Sequence, residues 1–151
     1  MAPPKPAPEH FERPVPEVIE ALYRASQAGV EIDLIVRGIC CLRPGVPGQS
    51  ERIRVRSILG GFLEHSRIYR FGSPERGLDY FIGSADLMPR NLGRRVESLV
   101  PIEKVDLCEQ LEDILDMNLK DDTHAWTLGE AGRWQAVEST ENLCAQEIFK
   151  E

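Results

Sequence analysis

No stretch of this 151-residue chain approaches the roughly 20 apolar residues that a membrane-spanning helix requires, so no such helix is expected. The amino terminus, Met1-Ala2-Pro3-Pro4-Lys5-Pro6-Ala7-Pro8, lacks the charged start and apolar centre of a secretory signal. The chain is therefore expected to stay in the cytoplasm. Cys40, Cys41, Cys108 and Cys144 include no Cys-x-x-Cys pair, and adjacent residues such as Cys40 and Cys41 project to opposite sides of an extended chain. Reduced structural thiols and no metal site are the expectation. Gly45-Val46-Pro47-Gly48-Gln49-Ser50 has neither the lysine nor the spacing of a Walker A loop. No internal repeat at a solenoid period is present.

What remains is the composition of one ordinary domain, 42% hydrophobic and 28% charged. The formal charge of -7 is unevenly spread. Between Arg24 and Arg95 there are twelve Lys or Arg against seven Asp or Glu; the rest of the chain has six against eighteen. A basic middle within an acidic chain points to anion binding there.

Prolines 3, 4, 6, 8 and 14 mark residues 1–15 as a flexible leader, and the folded domain is expected over residues 16–151. From Pro16 the pattern is helical: Val18, Ile19, Leu22 and Tyr23 share a face, and Gly29 closes it. Ile32 to Val36 reads as a buried strand that delivers Arg37 to its carboxyl end, where open α/β sheets bind ligands. Arg52, Arg54 and Arg56 alternate with Ile53 and Val55, which predicts a strand with an arginine stripe able to grip a polyanion. No aromatic interrupts that stripe, so nucleic-acid binding by base stacking is not expected.

Further on, Ser57 to His65 reads as a short helix, and Arg67 to Phe71, Leu78 to Ile82 and Val96 to Val100 as strands. An acidic amphipathic helix follows Pro101, with apolar positions at Val105, Leu107, Leu111, Ile114 and Leu115. Trp126, Leu128 and Trp134 flank the turn from Gly129 to Gly132 in an expected hairpin, and residues 141–149 suggest a last short helix. The fold class is α/β, a mixed β-sheet flanked by helices.

Of the three histidines, His10 falls in the leader and His124 in a polar turn. His65 has the informative setting: His65-x-Arg67 precedes Gly83-Ser84-Ala85-Asp86 by a strand pair. This is similar to a phospholipase-D-like half-site, His-x-Lys followed by Gly-Ser-x-Asn, with Arg67 and Asp86 in place of Lys and Asn. A much fuller likeness is carried by several runs. They are Ala25 to Val46, Ile53-Arg54-Val55-Arg56-Ser57-Ile58, Phe62-Leu63-Glu64-His65-Ser66-Arg67-Ile68-Tyr69, and Ile82-Gly83-Ser84-Ala85-Asp86-Leu87-Met88-Pro89-Arg90-Asn91-Leu92, with Arg94-Arg95-Val96-Glu97 beyond. In order and spacing they resemble the second carboxy-terminal, phospholipase-D-like domain of polyphosphate kinases of the first type, over about residues 16–137. Leu87 stands where that family has Trp.

The resemblance implies an enzyme that reversibly transfers the terminal phosphate of ATP to polyphosphate through a phosphohistidine. It places Arg37 and His65 among the ATP-contacting residues, with His65 an accessory acid or base and no other catalytic residue. Arg43, Arg54, Arg56, Arg67 and Arg90 are then guides for the polyphosphate chain. The family's phosphohistidine domain and magnesium ligands find no counterpart in this sequence. The expected partners are accordingly ATP, polyphosphate and the missing kinase domains in another chain, and the isolated chain is expected to be inactive. The alternative is a non-catalytic polyanion-binding module. Phosphodiester hydrolysis, which would need two copies of His65 brought together, is the weakest of the three readings.

Overall fold

The computed structural model describes Pro4 and residues 16–150; apart from Pro4, the expected leader lies outside the described residues. Helix α1 (Pro16–Gln27) starts on a proline, whose missing N–H costs nothing in a first turn. Its Ile19, Leu22 and Tyr23 pack on Leu42, Ile53, Val55 and Leu128, the buried centre of the domain. Those residues come largely from a four-stranded sheet of order β1-β2-β6-β7, built from β1 (Ile32–Ile35), β2 (Ile53–Ile58), β6 (Ala125–Leu128) and β7 (Trp134–Ala136). Strand β1 runs parallel to β2, and the other pairs are antiparallel, so the sheet is mixed. The β6–β7 hairpin turns where expected, with Gly129 N–H donating to Arg133 C=O at 2.9 Å.

A second, antiparallel sheet of order β3-β4-β5 holds β3 (Ile68–Ser73), β4 (Gly77–Gly83) and β5 (Leu99–Ile102). The α/β class is as expected, its strands divided between these two sheets. In the tight β3–β4 turn Gly72 has φ 103°, and a Cβ there would collide with the Gly77 carbonyl, so only glycine fits. Helix α3 (Val105–Lys120) joins the two sheets. On one side, Tyr80 donates from its buried hydroxyl to Glu112 at 2.7 Å, and Arg70 pairs with the same carboxylate. On the other, Arg56 of β2 donates to the carbonyls of Asn118 and Asp121 at the carboxyl end of α3.

Three local expectations are corrected. The helix expected over 57–65 is absent: Ser57 and Ile58 continue β2 by pairing with Trp126 and Ala125, and Gly60-Gly61 then lead into an irregular loop. The strand expected over 96–100 lies instead at Leu99–Ile102. It is an edge strand, which tolerates the missing N–H of Pro101. A short helix not anticipated, α2 (Pro89–Arg94), opens on a proline and packs the buried Asn91 inward. The last helix, α4 (Ala145–Ile148), falls within the expected span. No helix among the described residues is long and apolar enough to cross a membrane.

Candidate functional site

Three chain segments meet where the two sheets adjoin. The stretch after β1 brings Arg37, the stretch before β3 brings His65 and Arg67, and the stretch after β4 brings Asp86. Their common point is one carboxylate oxygen. Asp86 Oδ1 accepts hydrogen bonds from Arg67 Nη2 at 2.9 Å and Nε at 3.3 Å, and Arg37 Nη2 lies 3.7 Å from it. Arg67 Nη1 also contacts the His65 ring at Nδ1 and donates to the His65 carbonyl at 3.2 Å. Arg37 Nη1 donates to the neighbouring Glu64 carbonyl at 3.5 Å. Arg37 and His65 are thus tied into a single cluster. Two guanidiniums share one carboxylate, so the cluster has positive charge left over for an anion. Its side chains are partly open to solvent, Arg37 at 35% and Arg67 at 18%, so a phosphate has access to them.

A second carboxylate supports this cluster and carries no motif that singled it out. Glu97 accepts from Ser84 Oγ at 2.6 Å and from Asn91 Nδ2 at 3.1 Å, and pairs with Arg95 at 3.3 Å. The Ser84 hydroxyl, then the Asn91 amide, hold its pKa below the ordinary glutamate value, with Arg95 and Arg67 adding to the effect. Ser84 in turn accepts the Ser98 N–H at 2.9 Å, so its hydroxyl fixes the turn that carries Asp86. Only the fold shows that Ser84, Asn91 and Glu97 converge.

The other arginines divide into two groups. Arg54 of the expected stripe is locked onto Asp33 at 2.7 Å and Glu31 at 3.0 Å, and Arg52 pairs with Glu31 at 2.5 Å. Arg56 is spent on the carbonyls that end α3, and burial lowers its pKa. The stripe is tied to groups of the same domain, because Glu31 and Asp33 at β1 supply acids and the end of α3 supplies carbonyls, both remote in sequence. In the recess beside it, lined by Asp33, Arg54, Arg56, Leu119, Thr127 and Glu130, Arg54 is paired with Asp33 and Arg56 with carbonyls. Arg43 and Arg90 are exposed, on the loop before β2 and on α2. Leu87, beside Asp86, is 42% exposed.

Neither carboxylate of the site suits magnesium: Asp86 already serves two guanidiniums and Glu97 is occupied by Ser84, Asn91 and Arg95. Elsewhere among the described residues, ligand atoms of Asp121, His124 and Cys144 lie within 4.8 Å of one another. Asp121, however, accepts the N–H groups of Thr123, His124 and Ala145, and Cys144 Sγ faces His124 Nδ1 at 3.4 Å. The trio ties the chain's last segment to the β6 side of the domain. None of the four cysteines forms a disulfide.

Fold and site together define a mixed α/β domain with an arginine–histidine cluster at the junction of its sheets. Residues 15–146 match the family model described as "Polyphosphate kinase C-terminal domain 2", and the chain belongs to that family. It is 55% identical over 125 residues to polyphosphate kinase 1 of Chlorobaculum tepidum, covering 81% of this chain and 17% of that protein. It is 53% identical over 129 residues to the polyphosphate kinase of Pseudomonas aeruginosa, covering 84% and 18%. The crystal structure of polyphosphate kinase from Porphyromonas gingivalis superposes with a TM-score of 0.82 at 42% identity, over 89% of this chain and 21% of that one. The chain therefore spans under a quarter of the length of these relatives.

Proposed function

We propose that this chain is the ATP- and polyphosphate-binding part of a polyphosphate kinase, a phosphotransferase that moves the terminal phosphate of ATP reversibly onto polyphosphate. The observation that carries the reading is the meeting of Arg37 and Arg67 at the single Asp86 oxygen, with His65 held against Arg67. Phosphoryl transfer depends on positioning and on neutralising charge on the transferred group, and these residues supply both. The planar guanidiniums of Arg37 and Arg67 offer paired donors to phosphate oxygens. Asp86 holds the two forks at fixed places before any ligand arrives, which lowers the ordering cost of binding. His65 donates a hydrogen bond to the terminal phosphate or passes a proton near it. Arg43 and Arg90, both exposed, lead the polyphosphate chain away from the cluster.

The phosphate-accepting histidine and the magnesium ligands belong, in this proposal, to other parts of the relatives' longer chains. The chain by itself then binds both ligands without being phosphorylated. The second reading, a polyanion-binding module without a kinase role, predicts polyphosphate binding with no preference for ATP. Intact-mass spectrometry and calorimetry after incubation with ATP and magnesium separate the two. The proposal expects an unmodified mass, ATP binding that Arg37→Ala abolishes, and salt-sensitive polyphosphate binding. Stoichiometric phosphorylation of His65, or ATP binding indifferent to Arg37, would contradict it.

A further inference from the structure

The loop that carries His65, residues 59–67, has no regular structure, yet it must hold an imidazole against Arg67. Its first residue is pinned by Leu59 N–H donating to His124 C=O at 3.0 Å, and its last by Gly83 N–H donating to Arg67 C=O at 2.9 Å. Between those ends the strongest tie comes from a distant side chain. Gln146 accepts the Phe62 N–H on Oε1 at 3.0 Å and donates from Nε2 to the Phe62 carbonyl at 2.7 Å. A primary amide that meets both backbone groups of one residue copies the pairing of a β-strand neighbour, and it fixes that residue's orientation as well as its place. Gly60 admits this approach: a Cβ there would overlap the Gln146 carboxamide.

Gln146 is itself rigidly presented. It sits on α4 between Ala145, fully buried, and the rest of a segment stitched down by two acids. Asp121 accepts the Ala145 N–H at 2.9 Å. Asp122 accepts the N–H groups of Thr140, Glu141, Asn142 and Leu143. Cys144 meets the His124 ring one residue earlier. The carboxy-terminal segment is thus a platform whose one long amide reaches into the His65 loop. Lys150, 5.3 Å over the Phe62 ring, adds a second contact at the same place.

We infer that Gln146 is a positioning residue: through Phe62, three residues before it, Gln146 sets where His65 stands relative to Arg37 and Arg67, and so tunes phosphate binding. This rests on the phosphate-binding reading of the cluster. Gln146 touches no ligand; its effect passes through the loop. If the untethered loop holds His65 in place about a tenth of the time, apparent affinity falls about tenfold.

The test is a double-mutant cycle with sodium tripolyphosphate as the probe, using the full chain, its Gln146→Ala and His65→Ala variants and the double variant. Amide NMR spectra check that each is folded. Gln146→Ala should weaken binding about tenfold in the parent and by less than about twofold once His65 is alanine, the coupling expected of residues that act as a unit. The imidazole signals of His65, which tripolyphosphate shifts in the parent, should broaden in Gln146→Ala. Gly60→Ala reaches the same state from the other side by expelling the amide, and should reproduce the loss even if Gln146→Ala fails to fold. An undiminished loss in the His65→Ala background would mean a merely structural role and overturn the inference. No loss from Gln146→Ala, with His65→Ala still weakening binding, would overturn it alone. No loss from His65→Ala would overturn both it and the phosphate-binding reading.

Discussion

Asp122 is a carboxylate surrounded by donors it cannot share with water. Four backbone N–H groups, from Thr140 to Leu143, converge on its two oxygens at 2.6 to 3.2 Å. The Glu141 N–H, joined by those of Thr140, Leu143 and Asn142, holds its pKa down to about 2 against the opposing effect of burial. A depressed carboxylate stabilises the fold above its unfolded pKa, about 3.9, and that contribution is lost as pH falls through the folded value. The protein should therefore lose stability between about pH 4 and pH 2. Asp122→Asn should melt several degrees lower at neutral pH and show a flatter decline across the acid window. Parallel acid melts for the two proteins would show that Asp122 does not anchor the carboxy-terminal segment. At this scale the sequence put Arg37 at a strand end and His65, Arg67 and Asp86 in two short motifs, and the fold brings these four side chains together. Glu97 and Gln146 were not legible: Ser84, which Glu97 meets, lies thirteen residues away, and Phe62, which Gln146 meets, lies 84 away.

At the scale of elements, β2 presents two arginines with different duties. Arg54 lies on the open face, 62% exposed, and pairs with Asp33 and Glu31 from β1 and its approach. Arg56 lies lower and donates to the last carbonyls of α3, where a helix end leaves acceptors unsatisfied and concentrates negative charge. Exposed pairs contribute about 0 to 1 kcal/mol, whereas removing a charged donor from part-buried carbonyls costs about 1 to 3 kcal/mol. Chemical denaturation should accordingly find Arg56→Ala clearly destabilised and Arg54→Ala nearly unchanged; the reverse order would break the assignment of α3 as the bridge between sheets. The alternation of Arg and apolar residues correctly predicted β2. What it could not contain was the acidic lining supplied by β1 and the carbonyls supplied by α3, which turn a basic stripe into internal ties. Helix α3 and the β6–β7 hairpin were equally legible, through a helical apolar period and a glycine-bounded turn. The false helix at residues 57–65 arose because Ser57 and Ile58 gain more from pairing with β6 than from local propensity, and Gly60-Gly61 then end any regular structure.

At the scale of the whole molecule, part of the excess of basic residues between Arg24 and Arg95 is taken up by partners within the domain. Arg52, Arg54, Arg56 and Arg70 all have acidic or carbonyl partners. At the sheet junction Arg37 and Arg67 share the one carboxylate of Asp86, which leaves net positive charge there. Composition alone implied a broad polyanion surface; the fold pairs part of that surface with acids and carbonyls and gathers Arg37 and Arg67 at one carboxylate. The central claim is that phosphate recognition resides in that site and not in the basic middle at large. The most direct measurement is a calorimetric titration of tripolyphosphate into the parent chain, Arg37→Ala and Arg54→Ala at one fixed ionic strength. Each substitution removes one positive charge, so a general electrostatic attraction would respond to both alike. Loss of a forked guanidinium–phosphate contact is expected to weaken binding by at least about tenfold for Arg37→Ala, with a change under about twofold for Arg54→Ala. Equal losses from the two substitutions would contradict the account.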